Sequence, residues 1–264
     1  MQDTIADACL RERAGSELAQ DEGAYLAAST LSEREREAMR SQTGRLALYR
    51  RLVRSNLEGV AFRLLPRTRA RLNAACDGAF DAEFARFLED APPSTHFLKD
   101  VPGEFFAWAL RRWPSRASVP PYLVDLGRYE LLHFELSSMP NMAEPSLLSE
   151  LSLDRPVAFS SIARLVRLGA AVQHLSDDPD DSQPPAIGDQ RLLMYRDAEH
   201  VVRVLELGSL AFDALEAMMA GALLGAAIEG ASVRTGVGLT SEVVGQLAAL
   251  LADLGERGVL LGGC

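Results

Sequence analysis

Apolar residues recur every three or four positions through the first half of the chain, and prolines divide this pattern into separate segments. Such spacing lines one face of a helix. A proline ends a helix because its ring removes a backbone donor and clashes with the preceding turn. The clearest stripe runs up to Pro66 and is predicted to lie in the core: Leu46, Tyr49, Val53, Leu57, Val60 and Leu64.

Four further signals mark helices in the same half. Ser32 with Glu35 three residues later is a capping-box pattern. Pro92 and Pro93 close an apolar face, and Asp100 with Pro102 suits a helix start. A last helix is expected after Pro121. The apolar face that ends at Pro92 and Pro93 consists of Phe80, Phe84, Phe87 and Leu88.

The helical pattern is interrupted by prolines and small polar residues at 137–146, "SSMPNMAEPS". Beyond it we predict a strand at 170–175 and a hairpin with arms Leu192–Tyr195 and Val201–Leu207. Three short helical segments and a final strand, "GVLL", follow. The sequence therefore predicts a mainly α (α+β) protein, with a helical domain over 1–142 and a small winged-helix-like α+β domain over 143–264.

Composition narrows the class of protein. The net charge of −10 argues against a surface built as a whole for phosphate. The three cysteines show no CxxC spacing, and no secretory signal is evident. The longest apolar run, at 218–228, is too short to span a bilayer. We expect a cytoplasmic protein that is not bound to a membrane.

No enzyme site is evident in the sequence. The four histidines are scattered, and no HExxH, P-loop, GxSxG or GxGxxG in a strand-to-helix context is present. We expect a chain that is not an enzyme and that carries no metal or cofactor of its own.

Several segments, in order, resemble the HvfC/BufC family: "ALYRRLVRSNLEG", "FARFLED", "FLKDVPGEFFAWAL", "PPYLVDLGRYELLHFEL" and "RLLMYRDAEHVVRVLEL". The resemblance implies a partner protein in the modification of ribosomally made peptides. Relatives such as the methanobactin-pathway protein MbnC associate with a multinuclear iron-dependent oxidase of the HvfB/BufB type. The oxidase holds the iron and modifies cysteines of a precursor peptide, so a heterodimer without a cofactor in this chain is implied.

The second domain also resembles PqqD-type recognition elements, in which a leader peptide adds as a strand to a sheet edge. This resemblance implies a peptide site along the hairpin and the neighbouring helix. Which hairpin arm forms the edge is left open, and each side chain could instead simply alternate between core and solvent. The candidate residues are Leu192, Met194, Tyr195, Val202, Val204, Phe212 and Leu215.

A basic segment provides the competing hypothesis of a DNA-binding regulator that uses the helix at 45–71. Eleven arginines and three acids between Arg34 and Cys76 give a local charge of +8. The presumed reading helix at 240–255 carries acids and no lysine or arginine, so we favour protein docking over nucleic acid. The candidate docking residues are Arg50, Arg51, Arg54 and Asn56, and Arg54 is expected to point outward.

The sequence departs from the family pattern at two positions that could otherwise serve as hydrogen-bonding hubs. Ser55–Asn56 stands where relatives often carry two asparagines, and Leu131 follows Tyr129–Glu130 where an aromatic is common. These changes weaken the expectation that either position is a specific hydrogen-bonding hub.

Overall fold

The computed structural model describes residues 2–140, 150–178 and 180–263, apart from the side chains at positions 43 and 44. The chain is mainly α-helical with short antiparallel strands, as predicted. It divides into a first unit, Met1–Leu131 with Ser176–Gln183, and a second unit, Leu132–Leu175 with Pro184–Cys264. The predicted boundary between 142 and 143 lies outside the described residues.

The first unit is built from helices joined by short turns. Two 3-10 turns, Leu98–Asp100 and Trp113–Ser115, flank the eighth helix. The ninth helix continues into the second unit. The helices are α1 (Gln2–Leu10), α2 (Glu12–Gln20), α3 (Glu22–Ala28), α4 (Glu33–Arg40), α5 (Thr43–Leu64), α6 (Pro66–Ala75), α7 (Ala79–Asp90), α8 (Val101–Ala109) and α9 (Tyr122–Ser138).

The predicted helix ends in this unit are confirmed. Ser32 and Glu35 form the capping box of α4, each accepting from the other's backbone N–H. α5 ends at Leu64, and Pro66 occupies the first turn of α6, where its missing N–H costs nothing.

An aromatic cluster forms the centre of the first unit. The ring centroid of Phe105 lies 5.2 Å from those of Phe80 and Phe84 and 5.6 Å from that of Phe87, all in edge-on geometry. This arrangement is favoured by the ring quadrupoles and adds to the burial of these side chains. The predicted apolar face of α7 is therefore core.

The predicted apolar stripe of α5 is core only in its second half. Leu57 and Val60 are buried, whereas Tyr49 is 55% exposed and Val53 is intermediate. The assignment of Tyr49 to the core is therefore wrong, because the spacing defines a face of the helix but does not supply a neighbour to cover it.

The second unit contains two small antiparallel sheets. β2 (Ala163–Ala170), β3 (Ile187–Arg196) and β4 (Val202–Glu206) pair in the order β2-β3-β4. β1 (Val157–Phe159) pairs with the terminal strand β5 (Leu260–Gly263). The predicted hairpin is confirmed as β3 and β4, and the predicted terminal strand is confirmed as β5.

One predicted strand is misplaced. Residues 170–175 were expected to be extended, but the strand occupies Ala163–Ala170 and a 3-10 turn follows at Val172–His174. The cause is local geometry: Ala171 takes φ −77° and ψ 57°, which ends the strand.

Three helices complete the second unit: α10 (Ser209–Met219), α11 (Leu224–Thr235) and α12 (Ser241–Glu256). They confirm the predicted trio. Leu193 and Tyr195 of β3 share one core cluster with Leu215 of α10 and Leu254 of α12. The sheet therefore packs one face against the three helices. Among the described residues, no helix has the length and apolar character needed to cross a membrane.

Candidate functional site

β4 is the outer strand of the three-stranded sheet, with β3 on its inner side. The Leu207 N–H donates to the Arg191 carbonyl at 2.8 Å, and the Asp197 N–H donates to the Val201 carbonyl at 2.9 Å. Antiparallel pairing alternates inward and outward backbone groups along a strand. Val202, Val204 and Glu206 therefore direct both N–H and C=O away from β3, and no strand among the described residues lies on that outer side.

An apolar groove lies beside this open edge. It is a cavity of about 380 Å³ bounded by the end of β4, the start of α10 and one face of α12. Its walls are mostly aliphatic, with amide and carboxylate groups at the rim. The lining residues are Leu205, Glu206, Leu207, Gly208, Ser209, Leu210, Ala211, Val237, Val243, Gln246, Leu247 and Leu250.

Local contacts hold α12 in place against the sheet. The Thr240 hydroxyl caps the helix by accepting from the Val243 N–H at 3.3 Å. Arg257, just beyond its end, donates to the Tyr195 hydroxyl of β3 at 2.8 Å and to Asp253 at 2.7 Å. A side chain from the central strand is thus tied to the helix that forms the groove wall.

The structure corrects most of the predicted peptide-contact residues. Leu192, Met194 and Tyr195 lie on the central strand and are at most 2% exposed. Phe212 and Leu215 of α10 are likewise buried in the core. These five side chains support the sheet and the helices, so none of them can line an open site.

Val202 and Val204 are the two predicted residues that the structure places on the edge strand. The wall from α12 was missed, although Val243, Leu247 and Leu250 recur at helical spacing within 241–256. That spacing was a usable signal, but it indicates a buried face just as well as a groove.

The opposite edge of the sheet is obstructed. Arg164 of β2 donates to the carbonyl groups of Ser161 and Ala163 at 2.7 and 2.9 Å. Arg167, further along β2, forms a two-point contact with Asp189 at 2.7 and 2.9 Å. β4 also carries charged side chains, since Arg203 pairs with Asp197 and Glu206 pairs with His174. The difference is that Arg164 occupies the outward carbonyl of Ala163 on β2, so β4 is the better acceptor.

The basic segment is largely neutralised by folding. Arg50 and Arg54 both pair with Glu12, at 2.7 and 3.1 Å, and Arg54 also donates to the Leu10 carbonyl at 3.0 Å. Arg54 therefore points inward, contrary to expectation, while Arg51 and Asn56 are exposed. Carboxylates pair with seven of the eleven arginines: Arg36, Arg40, Arg50, Arg54, Arg67, Arg69 and Arg71.

Glu130 is a hydrogen-bonding hub, which corrects the expectation from its altered motif. Its carboxylate accepts from the backbone N–H groups of Arg67 and Thr68 at 2.8 and 3.1 Å, and from the Thr68 hydroxyl at 2.6 Å. Burial raises the pKa of Glu130, and the hydrogen bonds partly offset this. A buried carboxylate of α9 therefore caps the first turn of α6.

No group of three or more histidines, cysteines and acids is placed to hold a metal ion within the described ranges. His174 is exposed and contacts Glu206 at 2.7 Å. Of the predicted peptide-contact residues, Val202 and Val204 thus lie on the outer strand and the other five are buried.

No family model matches the chain, and no curated protein is significantly similar to it. The relationship to HvfC/BufC proteins therefore stays a prediction.

Proposed function

We propose that this protein is a non-catalytic partner that binds the leader segment of a ribosomal precursor peptide along β4. In this proposal it docks on a multinuclear iron-dependent oxidase that modifies the peptide's cysteines. The observation that carries the peptide-binding part is the open edge at Val202, Val204 and Glu206, which lies beside an apolar groove. The oxidase partner follows from the motif resemblance, and the cytoplasmic location follows from the cysteine pattern and the lack of an evident secretory signal in the sequence.

The geometry suits the capture of an extended peptide. Each of the three outward residues offers one donor and one acceptor, and an added strand would pair with them through its own backbone. Each such bond contributes about 0.5–1.5 kcal/mol net. Alternate side chains of the peptide would face α12, where Val243 and Leu250 offer apolar surface. Backbone pairing thus supplies affinity, and the groove supplies selectivity.

The iron chemistry is assigned to the partner in this proposal. The residues of this chain would bind and orient the peptide, and its cysteines would extend beyond the edge toward the oxidase. Ordering a disordered peptide costs about 2–5 kcal/mol of the gross interaction energy. We therefore expect moderate affinity, which permits release after modification.

A proline scan of the two sheet edges tests peptide capture. The probe is a fluorescent synthetic leader of the cysteine-bearing precursor encoded nearby, and the readout is anisotropy. Val204→Pro removes an outward N–H and leaves the β3 ladder intact, because proline is tolerated where the strand faces solvent. A loss of about 1–2 kcal/mol lowers affinity roughly 5- to 30-fold.

Arg167→Pro is the matched control, since it changes the other edge strand at a residue that also points outward. We expect this variant to bind the leader as the unchanged protein does. Equal affinity of Val204→Pro and the unchanged protein would exclude strand addition at β4, and equal weakening by both variants would show a general disturbance of the sheet.

Docking on the oxidase is tested separately by co-expression and size-exclusion chromatography with the oxidase encoded nearby. We expect a stable heterodimer at micromolar concentration. Two separate peaks would refute the partner assignment without bearing on peptide capture.

The DNA-binding hypothesis makes a different prediction. Seven arginines of the basic segment already pair with carboxylates, which leaves few charges to replace counterions on DNA. We expect no mobility shift of duplex DNA at physiological salt. A shift with steep salt dependence would favour the regulator.

A further inference from the structure

The solvent-facing side of α5 carries an uncovered apolar strip. Leu48, Tyr49 and Leu52 are 58%, 55% and 53% exposed. Positions three, four and seven apart share one side of a helix, so polar Asn56 and Gly59 lie on the same side of α5, toward the end of the helix. A Cβ at Gly59 would meet nothing within 4 Å, so a partner backbone can approach closely there.

Each end of the strip carries an arginine without an ion pair among the described residues. Arg45 donates to the Gln42 side chain at 3.2 Å, and Arg63 is exposed. Arg45 and Arg63 are 18 residues, or five full turns, apart, so both lie on the side of α5 that bears the apolar strip. Their distance along the helix axis is about 27 Å. We call Arg45, Leu48, Tyr49, Leu52, Asn56, Gly59 and Arg63 the α5 face.

An apolar hollow adjoins the α5 face beside Tyr49. It is open to solvent, and its walls come from α1, α4 and the start of α5. The lining residues are Ile5, Ala38, Met39, Gln42, Arg45, Leu46 and Tyr49. A bulky aliphatic side chain could enter it. Exposed apolar surface with a polar rim of this kind is typical of a protein interface.

We infer that the α5 face docks an amphipathic helix of a different protein, with an apolar row along its centre and carboxylates near both ends. Charge selects this occupant. The face itself has no carboxylate, and arginines at both ends would pair with acids about 27 Å apart on a partner helix.

A second copy of this chain fits poorly. Two α5 faces packed antiparallel would place Arg45 opposite Arg63, and packed parallel they would place like residues together. Both arrangements juxtapose arginines, which disfavours the contact. Nucleic acid also fits poorly, because Leu48, Tyr49 and Leu52 make about one turn of the face aliphatic and aromatic.

The inference stands on the first unit alone and does not require peptide capture at β4. Identifying the partner helix with one of the oxidase rests on the proposed function. The described face therefore predicts the chemistry of the partner surface, whichever protein carries it.

The test uses the full-length protein and two synthetic amphipathic helical peptides with the same leucine row. One peptide carries glutamates at both ends, and the other carries lysines there. By fluorescence anisotropy we expect the glutamate peptide to bind about tenfold more tightly. The double variant Arg45→Glu and Arg63→Glu should reverse this preference, and Leu52→Asp should weaken both peptides.

Val233→Asp is the matched control for Leu52→Asp, because Val233 of α11 is an exposed apolar side chain in the other unit that belongs neither to the α5 face nor to the groove, so this variant should leave the binding unchanged. Equal affinity for the two peptides, or no reversal in the double variant, would overturn the inference. Equal weakening by Val233→Asp and Leu52→Asp would also overturn it, because it would show that the peptides do not bind specifically at the α5 face. Sedimentation showing a dimer that Leu52→Asp dissociates would assign the face to a second copy.

Discussion

Replacing Glu130 tests whether one buried carboxylate organises the first unit. Its two oxygens satisfy two first-turn N–H groups of α6, and Leu65 at the N-cap contributes no side-chain bond. A buried donor left without an acceptor costs about 1–3 kcal/mol. Glu130→Ala leaves two such N–H groups without an acceptor. It also removes the cost of burying a carboxylate, which offsets part of the loss. We therefore expect the free energy of unfolding to fall by about 3 kcal/mol.

Glu130→Gln retains one acceptor oxygen and should cost less, about 1–3 kcal/mol. Urea unfolding followed by tryptophan fluorescence measures this, because both tryptophans, Trp108 and Trp113, lie in the first unit. Glu135→Ala on the same helix is the matched control: its pair with Arg164 is exposed and should contribute below about 1 kcal/mol. If all three variants unfolded at the same urea concentration, Glu130 would not hold α6.

Three further predictions follow from buried groups. Burial raises the pKa of Glu130, so the folded chain binds the proton of this carboxyl more tightly than the unfolded chain does. This proton binding stabilises the fold fully below pH 4.5, the ordinary pKa, and the stabilisation is lost as pH rises through the folded pKa. The stability of the unchanged protein relative to Glu130→Gln should therefore fall with rising pH in urea titrations. Gly127→Ala would place its Cβ 2.2 Å from an aromatic carbon of α8 and should cost about 1–3 kcal/mol by urea unfolding, whereas Gly103→Ala has open space and should be stabilising. Burial also raises the pKa of Cys9, so limited iodoacetamide should label exposed Cys76 before Cys9, as measured by peptide mass spectrometry.

The sequence predicted elements whose signals are local. The capping box of α4 and the proline at the start of α6 depend on neighbours within a few residues, and both are confirmed. The hairpin of β3 and β4 is equally local, since a short turn joins its arms. Strand β2 was missed because arginines interrupt its apolar alternation, as in "ARLVRLGA".

Contacts between distant residues account for what the sequence did not predict. Tyr49 fits the apolar stripe of α5, but no spacing rule says whether another element covers that stripe. Arg54 was expected to point outward, yet its partner is Glu12, 42 positions earlier. Glu130 likewise acts on residues more than sixty positions away. Pairing across such separations is a property of the fold.

The two edges of one sheet show how the structure restricts where a peptide could add. Both β2 and β4 lack a neighbour on their outer side among the described residues. Arg164 folds over carbonyl groups at the start of β2, whereas the outward groups of Val202, Val204 and Glu206 stay open beside α12. An added strand at β2 would have to displace charged contacts, and one at β4 would gain apolar contacts as well as backbone bonds. Under the proposed function, the peptide is therefore expected at β4, the arm of the hairpin that the sequence alone left undetermined.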